Sequence, residues 1–268
     1  MALQEAAVID VAGNDVPDIA QPASSTIRVQ LWDLPLRLFH WSLVAAVTTA
    51  IITGKAGGTW IELHAKAGIA IVGLVVFRLV WGLIGSTSAR FHHFAPTPGK
   101  ILAYLQGRWR GIGHNPLGAL SVFALLGLLG FQAGSGLLSN DDISFAGPLA
   151  QLIGDDLSHT VTNWHHQAAN LLFVLLGLHI AAIAFYARVK KDKLVKPMVT
   201  GWKDVPADAP QPRRARRIAL IAALALALGA IYGTSGAWIK KDAPPPATSP
   251  DTSTSASTKP TQGNAPAW

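Results

Sequence analysis

Residues Trp164–Ala187 read WHHQAANLLFVLLGLHIAAIAFYA. From Ala168 to Ala187 there is no Asp, Glu, Lys or Arg. A run of that length suits a membrane-spanning helix of about 20 residues. His165 stands at its entry and His179 lies inside it, 14 residues on. That spacing is close to four whole turns, so both imidazoles fall on one face, about 21 Å apart along the axis. Ionisable groups inside a bilayer are costly, face the bundle interior and mark function by default. Two stacked imidazoles on one membrane helix therefore imply two buried sites at different depths.

Composition agrees with a membrane setting. Half of the 268 residues are hydrophobic and only 14% are charged, with a mean hydropathy of +0.33. The absence of cysteine excludes disulfides, thiolate haem ligation, iron–sulfur clusters and covalent c-type haem attachment. A net charge of +7 in a soluble protein would raise nucleic acid as a partner. Here the basic residues cluster beside apolar spans, so they read as orientation signals and nucleic acid is not expected.

Four more apolar spans surround the first. They run from about Leu36 to Gly54, Ala65 to Gly85, Leu117 to Leu138 and Ile218 to Ile239. Gly118, Gly127, Gly130, Gly134 and Gly136 in the third permit close helix approach. The fold class expected is an all-α integral membrane protein, a four-helix transmembrane bundle with a fifth C-terminal transmembrane helix. Residues 1–28 read as a flexible leader, 29–203 as the membrane domain, 204–217 as a basic linker, 218–239 as the extra helix, and 240–268 as a disordered Pro/Ser/Thr-rich tail.

Loop charge gives the orientation. Arg90, Lys100, Arg108 and Arg110 lie between the second and third spans, and ten basic residues, Arg188 to Arg217, lie between the fourth and fifth. The loop between the third and fourth has none, but carries Asp141, Asp142, Asp155 and Asp156. Lys/Arg excess marks the cytoplasmic side. The N-terminus and both basic loops are expected inside, with the acidic loop and the C-terminal tail outside. The acidic loop either steers a basic partner or has the ordinary composition of a translocated loop. Trp32, Trp41, Trp60, Trp81, Trp164 and Trp202 near span ends read as an aromatic belt.

Topology sorts the histidines by depth. His40 lies near the cytoplasmic start of the first span and His179 toward the cytoplasmic end of the fourth. His64 and His165 lie at the external starts of the second and fourth. Two depth-matched pairs follow, His40 with His179 and His64 with His165, although spacing alone does not force the pairing. A helical bundle that binds cofactors between facing side chains would use such pairs, and two b-type haems with two imidazoles each is the reading. Zinc also accepts imidazole, but the spans add no carboxylate or thiolate to complete its ligand set. Interhelical hydrogen bonding is the other alternative. Arg37 and Arg78 either pair with haem propionates or snorkel to the interface. His114 either helps a helix start before Pro116 or reaches a propionate. His92 and His93 read as solvated, His159 as external loop, and His166 as turned about 100° away from His165.

Four stretches, WDLPLRLFHW (Trp32–Trp41), HAKAGIAIVGLVVFRLVWG (His64–Gly82), GHNP (Gly113–Pro116) and His165-x13-His179, resemble the prokaryotic cytochrome b561 family. That family includes the membrane b-type cytochrome subunits of nickel–iron hydrogenases. The similarity covers roughly Val29 to Lys203 and leaves the fifth span and tail outside. It implies a bacterial inner-membrane cytochrome with two haem b groups, ligated by His40/His179 and His64/His165. It also implies exchange with quinone or quinol and with a redox protein such as a hydrogenase or c-type cytochrome. The short form carrying GHNP is most similar to members that serve a c-type cytochrome. Two other function classes stay open: a self-standing quinone-linked oxidoreductase acting on superoxide, and a non-redox membrane scaffold.

Overall fold

The computed structural model describes residues 26–143 and 145–239. The expected leader up to residue 25 and the expected tail from residue 240 lie outside the described residues.

The chain begins with strand β1 (Thr26–Gln30) and enters helix α1 (Leu34–Ala56). The Asp33 carboxylate caps α1, accepting from the Leu36 N–H at 2.8 Å, with Pro35 in the first turn. Gly57, at φ 63°, ends α1, and one turn of 3-10 helix leads into α2 (Ile61–Ile84). The basic loop that follows holds two short helices, α3 (Phe91–Phe94) and α4 (Pro98–Leu105). Asn115 then caps α5 (Pro116–Leu138) by accepting from the Gly118 N–H at 2.7 Å. Helix α6 (Asp155–Arg188) is followed by α7 (Val195–Thr200), strand β2 (Trp202–Pro206) and α8 (Arg217–Thr234).

Five helices, α1, α2, α5, α6 and α8, are long and apolar enough to cross a membrane. The fold is therefore an all-α, multi-pass membrane protein, as the hydropathy pattern predicts. Helix α2 is central, packing against α1, α5 and α8, while α6 packs along α5. Its buried residues, Ala67, Ile71, Val75, Phe77, Arg78 and Trp81 among them, make α2 the most enclosed span.

The fourth helix is longer than its apolar run. At 34 residues, α6 begins nine positions before Trp164, so His165 sits about 15 Å inside it rather than at its entry. His159, read as loop, stands on this extension. Asp155 and Asp156 occupy the first turn of α6, where carboxylates offset the helix dipole. The extension is held by Ser158, whose hydroxyl donates to the Leu138 carbonyl at 2.7 Å, and by Thr162 bonded to the Asn140 backbone. An amphipathic helix protruding past the apolar core leaves no mark in a hydropathy profile.

The fifth helix is shorter than its apolar run and ends at Thr234 rather than Ile239. Ala219, Ala223 and Ala227 are buried on one face of α8, and α2 meets α8 at Gly73, where a Cβ would stand 2.5 Å from the Ile231 side chain. The start of α8 is tied to Thr87 through Arg213, and the turn after it packs Gly236 against Pro148. Its two ends therefore meet loops at opposite ends of the bundle, which is a crossing.

An antiparallel strand pair, Val29 opposite Lys203, closes the basic end, and Val29 and Val205 are buried in it. Part of the expected linker 204–217 is thus β2. Two tryptophans leave the expected belt: Trp32 and Trp81 are buried, and Trp81 Nε1 donates to Asp33 at 3.1 Å. Trp41, Trp60, Trp164 and Trp202 are exposed. Of the five α5 glycines, Gly130 faces Val75 of α2 at ordinary contact distance, while Gly127 and Gly134 have open space. Those two do not mediate a close approach.

Candidate functional site

The first site lies where α1, α2, α5 and α6 enclose a cavity of about 590 Å³. Val47, Ala50, Ile71, Leu129, Ala133 and Leu172 line it with apolar surface, and His64 and His165 face each other across it. Their ring centroids are 6.0 Å apart. His64 comes from the first turn of α2 and His165 from three turns into α6.

Both rings meet a backbone carbonyl through Nδ1, and His165 Nε2 also lies 3.1 Å from Gln132 Nε2. His64 Nδ1 lies 2.8 Å from the Ala50 carbonyl. His165 Nδ1 lies 3.0 Å from the Gln132 carbonyl and 3.2 Å from Ser135 Oγ. An Nδ1–H that donates to a carbonyl leaves Nε2 as the lone-pair nitrogen, the usual arrangement for an imidazole that ligates metal. Two glycines give these rings room. A Cβ on Gly54 would stand 2.8 Å from His64 Nδ1, and one on Gly136 would stand 3.0 Å from His165 Cε1. Gly136 therefore makes space for a side chain rather than for a neighbouring backbone.

The arrangement fits a planar group held between two imidazoles. The volume is that of an ordinary cofactor cavity. Gln132 Oε1 is enclosed beside it without a partner. His166 is exposed and borders the same cavity, its ring 6.2 Å from that of His165.

The second histidine pair lies toward the basic end. His40, on α1, and His179, on α6, are both half-buried. Five polar atoms at this end are enclosed without a hydrogen-bond partner: Arg37 Nε, His40 Nδ1, Arg78 Nη1, Ser86 Oγ and His114 Nδ1. Buried polar atoms are nearly always paired, so a set of orphans marks a place for a missing polar group. Arg78 is only 3% exposed and stacks over the rings of Phe91 and Phe94 at 4.4 and 6.0 Å. It does not snorkel. Arg37 donates through Nη1 to the Val199 carbonyl, tying α1 to α7. His114 is not the cap of α5, since Asn115 is; its ring packs between Trp32 and Phe94 at 4.6 and 4.7 Å. Burial, and secondarily the nearby Arg78, push its pKa down to about 4. His92 and His93 are exposed, as expected.

Among the described residues no three His, Asp or Glu side chains converge on a metal-sized space. The acidic loop is occupied structurally. Asp142 pairs with His159 at 3.0 Å, and Asp141 accepts from the Ile143 and Phe145 N–H groups.

A multi-pass helical protein whose bundle faces imidazoles across an apolar interior cavity has the make-up of a membrane cytochrome. Residues 31–201 match the family described as prokaryotic cytochrome b561, and the chain belongs to that family: it is a b-type membrane cytochrome of electron transport. The chain is 26% identical over 221 residues to a probable Ni/Fe-hydrogenase B-type cytochrome subunit of Azotobacter chroococcum mcd 1, covering 68% of this chain and 91% of that one. A protein of the same description from Azotobacter vinelandii is 25% identical with the same coverage. A third, from Bradyrhizobium diazoefficiens, is 22% identical over 71% of this chain and 94% of that one. No solved structure matches the chain significantly.

Proposed function

We propose that this chain is a di-haem cytochrome that carries electrons across the membrane between the quinone pool and a redox protein. The observation that carries the reading is the His64–His165 pair, 6.0 Å apart across an apolar cavity, each with Nδ1 at a backbone carbonyl. Held by these two imidazoles, haem b would supply one-electron redox chemistry.

The residues divide the work. His64 and His165 hold one haem, oriented by Ala50, Gln132 and Ser135. His40 and His179 hold the other, and Arg37, Arg78 and His114 offer enclosed donors to its propionates. Helix α6 carries one ligand of each pair and so sets their separation at about 21 Å along the membrane normal. Lys/Arg excess supports a cytoplasmic N-terminus, a cytoplasmic second pair and an external C-terminal tail in a bacterial inner membrane.

The relatives' printed names support a hydrogenase-type protein as redox partner. A c-type cytochrome is the other partner class the sequence resemblance supports. The ligand assignment is tested by haem content of single variants measured as pyridine haemochrome. His64→Ala and His165→Ala should each lose the same haem, and His40→Ala and His179→Ala the other, while His166→Ala keeps both. Haem loss in His166→Ala but not in His165→Ala would refute the assignment.

A further inference from the structure

The first turn after α2, strand β1 and the segment entering α8 meet around a separate hollow of about 220 Å³. Arg28, Arg213 and Arg214 line it, together with Ser86 and Ser88. Among the described residues the ion pairs are Lys66–Glu62, His159–Asp142 and Lys203–Asp192, so none of these three arginines is in one. Arg28 rests on the Trp202 ring at 5.3 Å, which supports the guanidinium and leaves its edge for a ligand. Ser86 is 3% exposed, and its Oγ is enclosed with no partner. Asp33 also borders the hollow, but its two oxygens are taken by the Leu36 N–H and Trp81 Nε1. The segment is held in place, since the Thr87 N–H donates to the Arg213 carbonyl and the Arg213 N–H to Thr87 Oγ1, both at 3.1 Å.

We infer that this hollow binds the phosphate of an anionic phospholipid headgroup. Three unpaired guanidiniums and an unpaired buried hydroxyl are the donor set of a phosphate oxyanion, and basic pockets beside membrane helices at the cytoplasmic face are where acidic lipids are held. The lipid source is favoured over free phosphate by its position. The hollow lies where α1 and α8 begin and α2 ends, and Leu34, Leu83, Ile84 and Ile218 at those helix ends are exposed, giving acyl chains apolar surface to follow. Arg213 and Arg214 lie beyond the residues that match the family, so the site depends on this chain's own fifth-helix segment. It also gives α8 a role: the lipid ties the start of α8 to β1 and the end of α2.

Native mass spectrometry of the full haem-loaded chain in detergent tests this with phosphatidylglycerol and phosphatidylcholine of identical acyl chains. The wild type should retain one phosphatidylglycerol in preference to phosphatidylcholine. Arg28→Gln/Arg213→Gln/Arg214→Gln should weaken retention roughly 100-fold, while Lys190→Gln/Lys191→Gln/Lys193→Gln, an equal charge change confined to the segment between α6 and α8, should leave it unchanged. Ser86→Asp, which keeps every arginine, should also abolish retention. Unchanged haem content in each variant controls for folding. Equal weakening by the two triple variants, or equal retention of the two lipids, would overturn the proposal. Displacement of phosphatidylglycerol by an equal concentration of inorganic phosphate would overturn the lipid assignment in favour of a free-phosphate site.

Discussion

Replacing Gly54 by alanine should loosen one haem while leaving the helix that carries the change intact. The new Cβ would stand 2.8 Å from His64 Nδ1 and 2.9 Å from its Cε1, whereas ordinary contact begins at 3.4 Å. The ring would have to retreat by about 0.6 Å, and the 2.8 Å contact of its Nδ1 with the Ala50 carbonyl cannot survive that shift unchanged. Losing that hydrogen bond costs about 1 kcal/mol, and losing the partner that orients a metal-bound imidazole lowers affinity about 10- to 100-fold. Backbone propensity runs the other way, since alanine in place of glycine favours a helix by up to about 1 kcal/mol. The expected signature is therefore lower occupancy and an altered spectrum for one haem in a protein that folds and inserts normally. Gly136→Ala, with its Cβ 3.0 Å from His165 Cε1, should act on the same haem more mildly, and Gly134→Ala, with nothing within 4 Å, should be silent. Pyridine haemochrome and reduced-minus-oxidised spectra of the three purified variants read this out. A Gly54→Ala protein indistinguishable from Gly134→Ala would refute the placement of His64 as a ligand.

Other perturbations address the remaining parts of the account. Arg78→Met keeps the packing on Phe91 and Phe94 but removes the guanidinium, so it should lower the potential of the His40/His179 haem and leave the other unchanged in a redox titration. Ala223, fully buried between α8 and α2, has no room for growth; Ala223→Leu should cost about 1–3 kcal/mol in thermal unfolding without changing haem content. Since His114 titrates near 4 in the folded chain and near 6.5 when unfolded, the unfolded state binds the extra proton between these values. Its contribution makes stability fall as pH drops from about 6.5 to about 4, by on the order of 2–3 kcal/mol. His114→Phe should flatten that limb of a melting-temperature profile.

The five crossings were legible because hydropathy reports burial in lipid directly, and the placing of His165 and His179 on one face of α6 was legible because they lie a near-integral number of turns apart on one continuous helix. What hydropathy does not report is polar helix outside the membrane, which is why the nine residues of α6 ahead of Trp164 read as loop. The end of α8 failed for the opposite reason: Ala237, Trp238 and Ile239 are apolar but follow the Gly236 turn. Gly54, Gln132 and Ser135 carried no signal as supports of the histidines, since their contact with His64 and His165 joins helices distant in sequence. The same holds for Asn115, which caps α5 and also donates to the Tyr186 hydroxyl at 2.7 Å, and for Trp32 and Trp81, whose sequence positions fit a belt while their side chains fill the basic end of the core.

The central claim is that one chain holds two haems on two histidine pairs. The ratio of haem b to polypeptide in detergent-purified protein, by pyridine haemochrome against amino-acid analysis, tests it most directly. A ratio of two, with both haems low-spin, is the expected result; a ratio of one would mean that one histidine pair is structural and would contradict the account.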